Sequence, residues 1–275
     1  MIEQIRKIAS DWLTTKKVDS LLGLKVENGR ISPFLFTKPE EINNLVVSST
    51  VKIIKISRIK KRNILYLLQE KYPDAKIGVV VAGCDERALI ELSKLNQVNL
   101  KKIEILGYAC NKDDVTYCSC SRPYPHNLLI GEKVEGISYK EKNDEILNKE
   151  LSERLKFWKY QFSKCIKCYG CRDACPICTC QDCKMERELY VKTGQVPPPD
   201  MPMYHFIRFY HLSDKCIGCG ECEKACPMDI PLCSIFKMSE VYLKELFDYE
   251  TGIDDQQKSP LVTTLQEVPM KGGSI

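Results

Sequence analysis

Residues 165–176 read CIKCYGCRDACP and residues 216–227 read CIGCGECEKACP, so the second half of the chain contains one cysteine spacing twice. Each copy has the form C-x2-C-x2-C-x3-C-P, which is the bacterial-ferredoxin pattern for binding 4Fe–4S clusters. Three closely spaced thiolates can occupy three corners of an iron–sulfur cube, but a single tight loop cannot reach the fourth corner. The repeat therefore predicts two clusters that exchange ligands between two loops.

The fourth ligand of each cluster is predicted to come from the other loop, because in two-cluster ferredoxins the last cysteine of each run binds the neighbouring cluster. The ligands predicted for the first cluster are Cys165, Cys168, Cys171 and Cys226. The ligands predicted for the second cluster are Cys216, Cys219, Cys222 and Cys175. Ile166 and Ile217 are expected to shield the clusters from water. Zinc is the alternative, since it also binds four thiolates, but two complete copies favour clusters.

Four further cysteines lie in the first half of the chain: Cys84, Cys110, Cys118 and Cys120. Cys84 and Cys110 each follow a predicted strand, so both can lie at the carboxyl edge of one sheet, where α/β folds place ligands. Four thiolates that converge there could hold a third 4Fe–4S cluster. The alternative is that they are buried small apolar residues, as free cysteines often are.

The remaining cysteines form a last group: Cys178, Cys180, Cys183 and Cys233. Three of them directly follow the first cluster motif, and the fourth follows the second motif. They are interpreted either as a further metal site, which would be a third or fourth 4Fe–4S cluster or a zinc site, or as buried thiols.

The composition limits the classes of protein to consider. The 275 residues have a net charge of +4 from 41 basic and 37 acidic side chains, which gives no support for nucleic-acid binding. The longest stretch without a polar side chain, residues 77–84, is far shorter than the roughly 20 residues of a membrane span. The N-terminus lacks the features of a secretory signal. We therefore expect a cytoplasmic protein, where cysteine-rich stretches indicate metal or redox chemistry rather than disulfides.

The first half of the chain predicts an α/β domain over residues 1–157. Apolar spacing predicts a helix over 2–18, and Asn28-Gly29 predicts the turn of a β-hairpin over 22–36. Further strands are predicted over 51–56, 76–82 and 103–106, and further helices over 64–71 and 85–95. This alternation of strands and helices is typical of a partly parallel sheet.

The predicted fold class is α+β, with the α/β domain followed by a bacterial-type two-cluster ferredoxin domain over residues 158–250 and an extended tail over 251–275. Helices are predicted over 144–162, 203–212 and 234–246, and a proline-rich insertion over 195–203. The three histidines are expected to be structural. Four aromatic residues are expected to pack around the clusters: Tyr204, Phe206, Phe209 and Tyr210.

A basic stretch precedes the helix predicted over 64–71. Its members are Lys52, Lys55, Arg58, Lys60, Lys61 and Arg62. We expect a solvated face there; the alternative is a docking surface for an acidic partner. The chain has no P-loop, HExxH or GxGxxG motif, and no catalytic residues are predicted.

The stretch from Lys76 through Gly83-Cys84-Asp85 to Cys110 resembles the β-subunit family of deazaflavin-coenzyme-dependent hydrogenases and formate dehydrogenases. Residues 165–183 and 206–226 resemble the two-cluster extension found in members associated with heterodisulfide-reductase-like complexes. The resemblance covers about residues 45–250. Many members have Gly-Thr-Pro-Cys where this chain has Gly83-Cys84-Asp85.

The resemblance implies an iron–sulfur electron-transfer subunit of a multisubunit anaerobic oxidoreductase, rather than a stand-alone enzyme. Its partners would be a catalytic subunit of the formate dehydrogenase, hydrogenase or heterodisulfide-reductase-like type, and a flavin- or ferredoxin-linked protein. The alternative is a flavin-dependent subunit that itself exchanges hydride with a deazaflavin or nicotinamide coenzyme. A third interpretation is a structural zinc-binding adaptor.

Overall fold

A computed structural model describes residues 1–54, 63–186 and 201–261 of the chain. These residues form two compact units. The first unit contains residues 1–54, 63–137 and 252–256, and the second contains residues 138–186, 201–251 and 257–261. The domain bounds expected at residues 157 and 250 stay predictions.

The first unit is built on a mixed sheet. Its strands are β1 (Ser20–Glu27), β2 (Arg30–Phe36), β3 (Leu45–Val46), β4 (Ile77–Val81), β5 (Ile103–Tyr108) and β6 (Leu128–Ile130). The order is β2-β1-β4-β5-β6, and β3 also pairs with β1. The β1–β4, β4–β5 and β5–β6 pairs are parallel, and the pairs of β1 with β2 and β3 are antiparallel. The predicted partly parallel sheet is therefore confirmed.

Four helices accompany this sheet: α1 (Ile2–Thr14), α2 (Ile64–Lys71), α3 (Gly83–Lys94) and α4 (Lys112–Cys118). α1 ends earlier than predicted, because Lys16 takes a left-handed conformation with φ of 55°. The predicted hairpin turn is present, since Asn28 and Gly29 have φ of 51° and 72°. Two successive left-handed residues match the twist of antiparallel strands.

The strand predicted over 51–56 is wrong for the described residues 51–54, which form bends. The Ser48 hydroxyl oxygen accepts hydrogen bonds from the backbone N–H groups of Thr50 (3.1 Å) and Val51 (3.3 Å). Such a local bond offers the backbone an alternative to pairing in a sheet. Residues 55 and 56 lie outside the described residues.

The second unit is helical. Its helices are α5 (Tyr139–Leu147), α6 (Leu151–Ser163), α7 (Gly170–Asp173), α8 (Met201–Leu212), α9 (Glu221–Lys224) and α10 (Leu232–Phe247). The single helix predicted over 144–162 is therefore two helices, separated where Glu150 takes an extended conformation. α6 packs on α8, and α10 packs on α5, α8 and α9.

Two expectations about chain segments fall partly outside the described residues. Residues 195–200 of the proline-rich insertion are outside them, and residues 201–203 begin α8. Of the predicted tail, residues 262–275 are outside them. In the part of the chain that the structure describes, no helix is both long and apolar enough to cross a membrane.

Candidate iron–sulfur centres

The first cysteine loop brings four thiols together. α6 ends at Ser163, and the chain then turns so that the Lys167 backbone N–H donates to the Cys165 sulfur (3.4 Å). Burial raises the pKa of Cys165 to about 11, although that hydrogen bond lowers it. The neighbouring thiols that add to the rise are those of Cys171, Cys168 and Cys226. These four residues are the ones predicted for the first cluster, and the fourth comes from the other loop.

The two loops approach each other through their backbones. A Cβ atom on Gly170 would lie 2.9 Å from the carbonyl oxygen of Ala225, so the first loop can come this close only with glycine there. The one-turn helices α7 and α9 also pack against each other. This contact places the last cysteine of each run beside the other loop.

The loops share a backbone conformation at matching positions, although the residues differ. In the second loop, Gly218 and Gly220 have φ of 66° and 76°. The matching residues of the first loop, Lys167 and Tyr169, both have φ of 58°. Left-handed conformations are uncommon for residues with a side chain. The shared path therefore follows the cysteine spacing rather than the presence of glycine.

A small cavity lies beside the second loop. Its lining includes all four thiols predicted for the second cluster: Cys175, Cys216, Cys219 and Cys222. Burial raises the pKa of Cys216, and the thiol of Cys175 adds to the rise. Ile217 on the cavity wall is 5% exposed, whereas Ile166 on the first loop is 40% exposed. Ile217 is therefore buried where the expected shielding needs it, whereas the exposure of Ile166 does not agree with that expectation.

A four-iron cube suits such wide groups of thiols, because each thiolate binds a different iron atom and the sulfurs need not converge on one point. Within residues 1–54, 63–186 and 201–261, no three cysteine, histidine, aspartate or glutamate side chains come close enough to hold one metal ion. Each loop presents four thiols that are partly shielded from water. This donor set fits the 4Fe–4S group.

The last group of cysteines divides between two places. Cys178 lies near Cys175, Cys180 and Cys183, and burial together with these thiols raises the pKa of Cys178 to about 12. Cys233 lines the cavity of the second loop, where its thiol is hydrogen-bonded to that of Cys222. The structure therefore brings three members of the group together and places Cys233 with the second loop.

In the first unit, three thiols meet at the carboxyl edge of the parallel strands. Cys84 follows β4 in the first turn of α3, and Cys110 follows β5. Burial raises the pKa of Cys84 to about 11, and Cys120 adds to the rise. The pKa of Cys110 is raised by burial and by the thiols of Cys84 and Cys120. Cys118 points its thiol at the carbonyl oxygen of Ser49 (3.9 Å).

Two buried cations face this group. Lys52 is 7% exposed, and its charge lowers the pKa of both Cys84 and Cys110. Arg87 is 5% exposed, and its Nη2 lies 3.7 Å from the sulfur of Cys120. Buried positive charge favours the thiolate form of cysteine, which is the form that binds metals.

The expectation of a solvated basic face is wrong for Lys52, which is buried. The other members of that stretch lie outside the described residues. The expectation that aromatic residues pack around the clusters holds for Tyr204, whose hydroxyl lies 3.9 Å from the sulfur of Cys171. It is wrong for Phe206 and Tyr210, which are 63% and 67% exposed.

Sequence reasoning missed Arg208. This arginine is 5% exposed and lines the cavity of the second loop. Nothing in the cysteine spacing marks it, because its position depends on how α8 packs against the loops.

The fold and the thiol groups define an α/β unit accompanied by a helical unit of the ferredoxin type. Residues 209–231 match the family of 4Fe–4S binding domains known as Fer4. The C-terminal region of the chain therefore contains a 4Fe–4S binding domain. The match covers the second cysteine run and not the first.

The curated proteins that are similar to this chain include two formate dehydrogenase subunits. The F420-dependent formate dehydrogenase subunit beta of Methanocaldococcus jannaschii is 38% identical over 142 residues, which is 50% of this chain and 37% of that protein. The F420-dependent formate dehydrogenase 1 subunit beta of Methanococcus maripaludis is 42% identical over 144 residues, which is 51% of this chain and 36% of that protein. The chain spans little more than a third of the length of these relatives. Their names confirm the predicted resemblance to deazaflavin-linked β-subunits.

Proposed function

We propose that this chain is an electron-transfer subunit of a multisubunit oxidoreductase. It would relay electrons between a catalytic subunit, of the formate dehydrogenase, hydrogenase or heterodisulfide-reductase-like type, and a flavin- or ferredoxin-linked partner. The observation that carries the proposal is the position of the last cysteine of each run, since Cys226 lies near Cys165 of the first loop and Cys175 lines the cavity of the second loop. The formate dehydrogenase subunits among the relatives support the same role.

The second unit would hold two 4Fe–4S clusters. The first would be bound by Cys165, Cys168, Cys171 and Cys226, and the second by Cys216, Cys219, Cys222 and Cys175. Each cluster supplies a site that accepts and releases one electron at a time. The protein's part is to keep water from the sulfur atoms, to orient the thiolates and to direct hydrogen-bond donors at them.

The exposure of the two loops indicates where electrons would cross the surface. Cys168 and Ile166 of the first loop are exposed, whereas the matching residues of the second loop, Cys219 and Ile217, are half-buried and buried. A partner can therefore approach the first cluster more closely than the second. We propose that the first cluster exchanges electrons with a partner.

A third cluster in the first unit is part of the same proposal. Cys84, Cys110 and Cys120 would be ligands, with Cys118 as the fourth, and the charges of Lys52 and Arg87 would balance the thiolates. For the group of Cys178, Cys180 and Cys183, a further metal site stays a prediction, and Cys233 would not be its fourth ligand.

The test is anaerobic purification of the chain followed by measurement of iron, acid-labile sulfide and zinc. Two clusters require about eight irons per chain, and a third raises the number to about twelve. Reduction should give the low-temperature paramagnetic signals of reduced clusters. Zinc in place of iron, with a colourless protein, would refute the proposal and favour a structural adaptor.

The relatives are named as F420-dependent, which favours the alternative of a subunit that itself exchanges hydride with a deazaflavin coenzyme, and a flavin would be the group that carries the hydride. A Cβ atom on Gly83 would lie 2.5 Å from the carbonyl oxygen of Tyr124, so the start of α3 lies close against the backbone of that residue. Flavin absorbance in the supernatant of the acid-denatured protein would favour this alternative, and a flavin-free protein would reject it.

A further inference from the structure

Arg208 carries a buried positive charge whose hydrogen-bond donors are not all used by the protein. Its side chain is 5% exposed. Its Nη2 donates to the carbonyl oxygen of Cys171 (2.9 Å). Its Nε and Nη1 are buried and have no hydrogen-bond partner among the described residues. A buried donor without an acceptor is costly, and more so when it is charged.

A cavity next to Arg208 can hold acceptors for these donors. Arg208 lines the cavity of the second loop together with the four thiols proposed for the second cluster. The ring of Phe236, 5.4 Å from the guanidinium carbon, stabilises the charge from one side but accepts no directed N–H bond from the plane of the guanidinium. The sulfur atoms of a cluster in this cavity would be the missing acceptors.

The guanidinium also lies between the two sets of ligands. It is bonded to the backbone of Cys171, which is proposed for the first cluster, and it shares the cavity with Cys175 and Cys222 of the second. Burial lowers the pKa of Arg208, but the thiols of these three cysteines raise it further, so the net pKa lies above the ordinary value. An arginine is protonated at every accessible pH. Its charge is therefore constant while the clusters change theirs.

We propose that Arg208 donates N–H hydrogen bonds to sulfur of the second cluster and holds one positive charge between the two clusters, raising the reduction potentials of both. Each cluster gains one electron and one unit of negative charge when it is reduced. A fixed positive charge nearby stabilises the reduced form more than the oxidised form, and hydrogen bonds to the sulfurs act in the same direction. Arg208 takes up no proton in this step, so it adds no pH dependence to the potentials.

This inference rests on the proposed function, and its test separates the two. The variants are Arg208→Met, which removes the charge and the donors, and Arg208→Lys, which keeps the charge but loses the planar fork. The control is Lys244→Met, which removes one exposed positive charge from the same unit. Lys244 lies eleven residues beyond the cavity-lining Cys233 on α10, about 16 Å along the helix axis and beyond the screening length of about 8–10 Å.

Iron is counted first in each anaerobically purified protein, and the reduced clusters are then followed by electron paramagnetic resonance during titration with dithionite. We expect the midpoint reduction potentials of Arg208→Met to fall by at least about 59 mV. For one electron, this corresponds to a tenfold change in the ratio of reduced to oxidised cluster. The fall should be larger for the second cluster. Arg208→Lys should give a smaller fall, and Lys244→Met should match the parent.

An Arg208→Met protein with full iron content and midpoints equal to those of Lys244→Met would overturn the inference. If Arg208→Met does not retain its clusters, Arg208→Lys decides, because midpoints equal to those of the parent would contradict the fall expected when the planar set of donors is lost. A parent protein that contains no iron would refute the proposed function instead.

Discussion

The two regions that collect cysteines do so by different physical means. In the second unit, the thiols come from two short repeats in which neighbouring cysteines are three or four positions apart, so the local path of each loop places them. In the first unit, Cys84 and Cys110 come from the ends of separate parallel strands, and Cys120 comes from a later loop. Their proximity is a product of the sheet. The comparison teaches that motif spacing alone indicates a site made by a loop, whereas a site made by a fold can be predicted only after the strands that carry its residues have been predicted.

The largest expected difference between the two units is their response to the loss of iron. The loops of the second unit contain helices of only four residues, α7 and α9, which are too short to be stable alone. Where ligands and metal fold together, the binding free energy is folding free energy. After oxidation and chelation, hydrogen exchange should show loss of protection throughout 165–176 and 216–227, while β1 and β4 stay protected.

The parent protein kept anaerobically with its iron is the control for that measurement. Protection that persists in both cysteine loops after complete removal of iron would contradict the account. Loss of protection in β1 and β4 together with the loops would show that the two units do not differ in the way proposed.

The next effect concerns the strand-edge thiols of the first unit. Replacing Cys110 by serine should lower the iron content by about four atoms per chain if a third cluster is present there. Ser121→Ala, in the loop that follows Cys120, is the matched control and should keep all the iron. An unchanged iron content in Cys110→Ser would make these residues buried thiols, which is the alternative left open by the sequence.

A fall in pH should destabilise the second unit through His205, and this effect should be smaller than the two above. His205 on α8 is 4% exposed and stacks on Phe162 with ring centres 4.6 Å apart. Burial lowers its pKa to about 4, from about 6.5 in an unfolded chain. His205 is therefore harder to protonate in the native state than in the unfolded chain. The contribution of neutral His205 to stability is complete above pH 6.5 and is lost as the pH falls towards 4, by about 2 kcal/mol at pH 5.

The variant His205→Phe keeps the stacked ring and cannot be protonated, so its unfolding midpoint should depend less on pH between 6.5 and 5 than that of the parent. His211→Phe is the control, because His211 on the same helix is exposed. Equal pH dependence of the His205→Phe variant and the parent would contradict the assignment of a neutral, buried His205.

The smallest expected effect is in the first unit, at the hairpin turn between β1 and β2. Gly29 has φ of 72°, and nothing lies within 4 Å of a Cβ atom placed there. Gly29→Ala should therefore destabilise the unit only through backbone strain, by about 1 kcal/mol. Thermal unfolding measures this change, and Arg30→Ala, at an exposed position of β2, controls for surface substitution in the same hairpin. A loss of several kcal/mol would show that the turn packs more closely than described.

Much of the fold followed from local patterns. The Asn28-Gly29 turn and the apolar run of β4 depend on neighbours in sequence, and both were predicted. β6 was missed because its three residues pair with β5 only through the folded chain. The strand expected over 51–56 was wrong for residues 51–54 because the hydroxyl of Ser48 bonds to the following backbone.

In the candidate sites too, features that depend on local sequence were predicted, and features that depend on long-range contacts were not. The cysteine runs were recognisable from spacing, since the spacing itself reflects the geometry of a cluster. Lys52 and Arg208 were not recognised as buried cations, because their burial depends on contacts made far along the chain. The left-handed conformation of Lys167 and Tyr169 was also invisible, since those residue types do not favour it.

The central claim is that each cysteine loop supplies the fourth ligand of the other cluster, and two double variants test it most directly. Cys168→Ala with Cys226→Ala removes two ligands from one proposed cluster, so the protein should lose about four irons relative to the parent. Cys168→Ala with Cys175→Ala removes one ligand from each cluster, so it should lose more iron and weaken both paramagnetic signals. If the second pair instead left one cluster intact while the first pair damaged both, each loop would hold its own cluster and the claim would be contradicted.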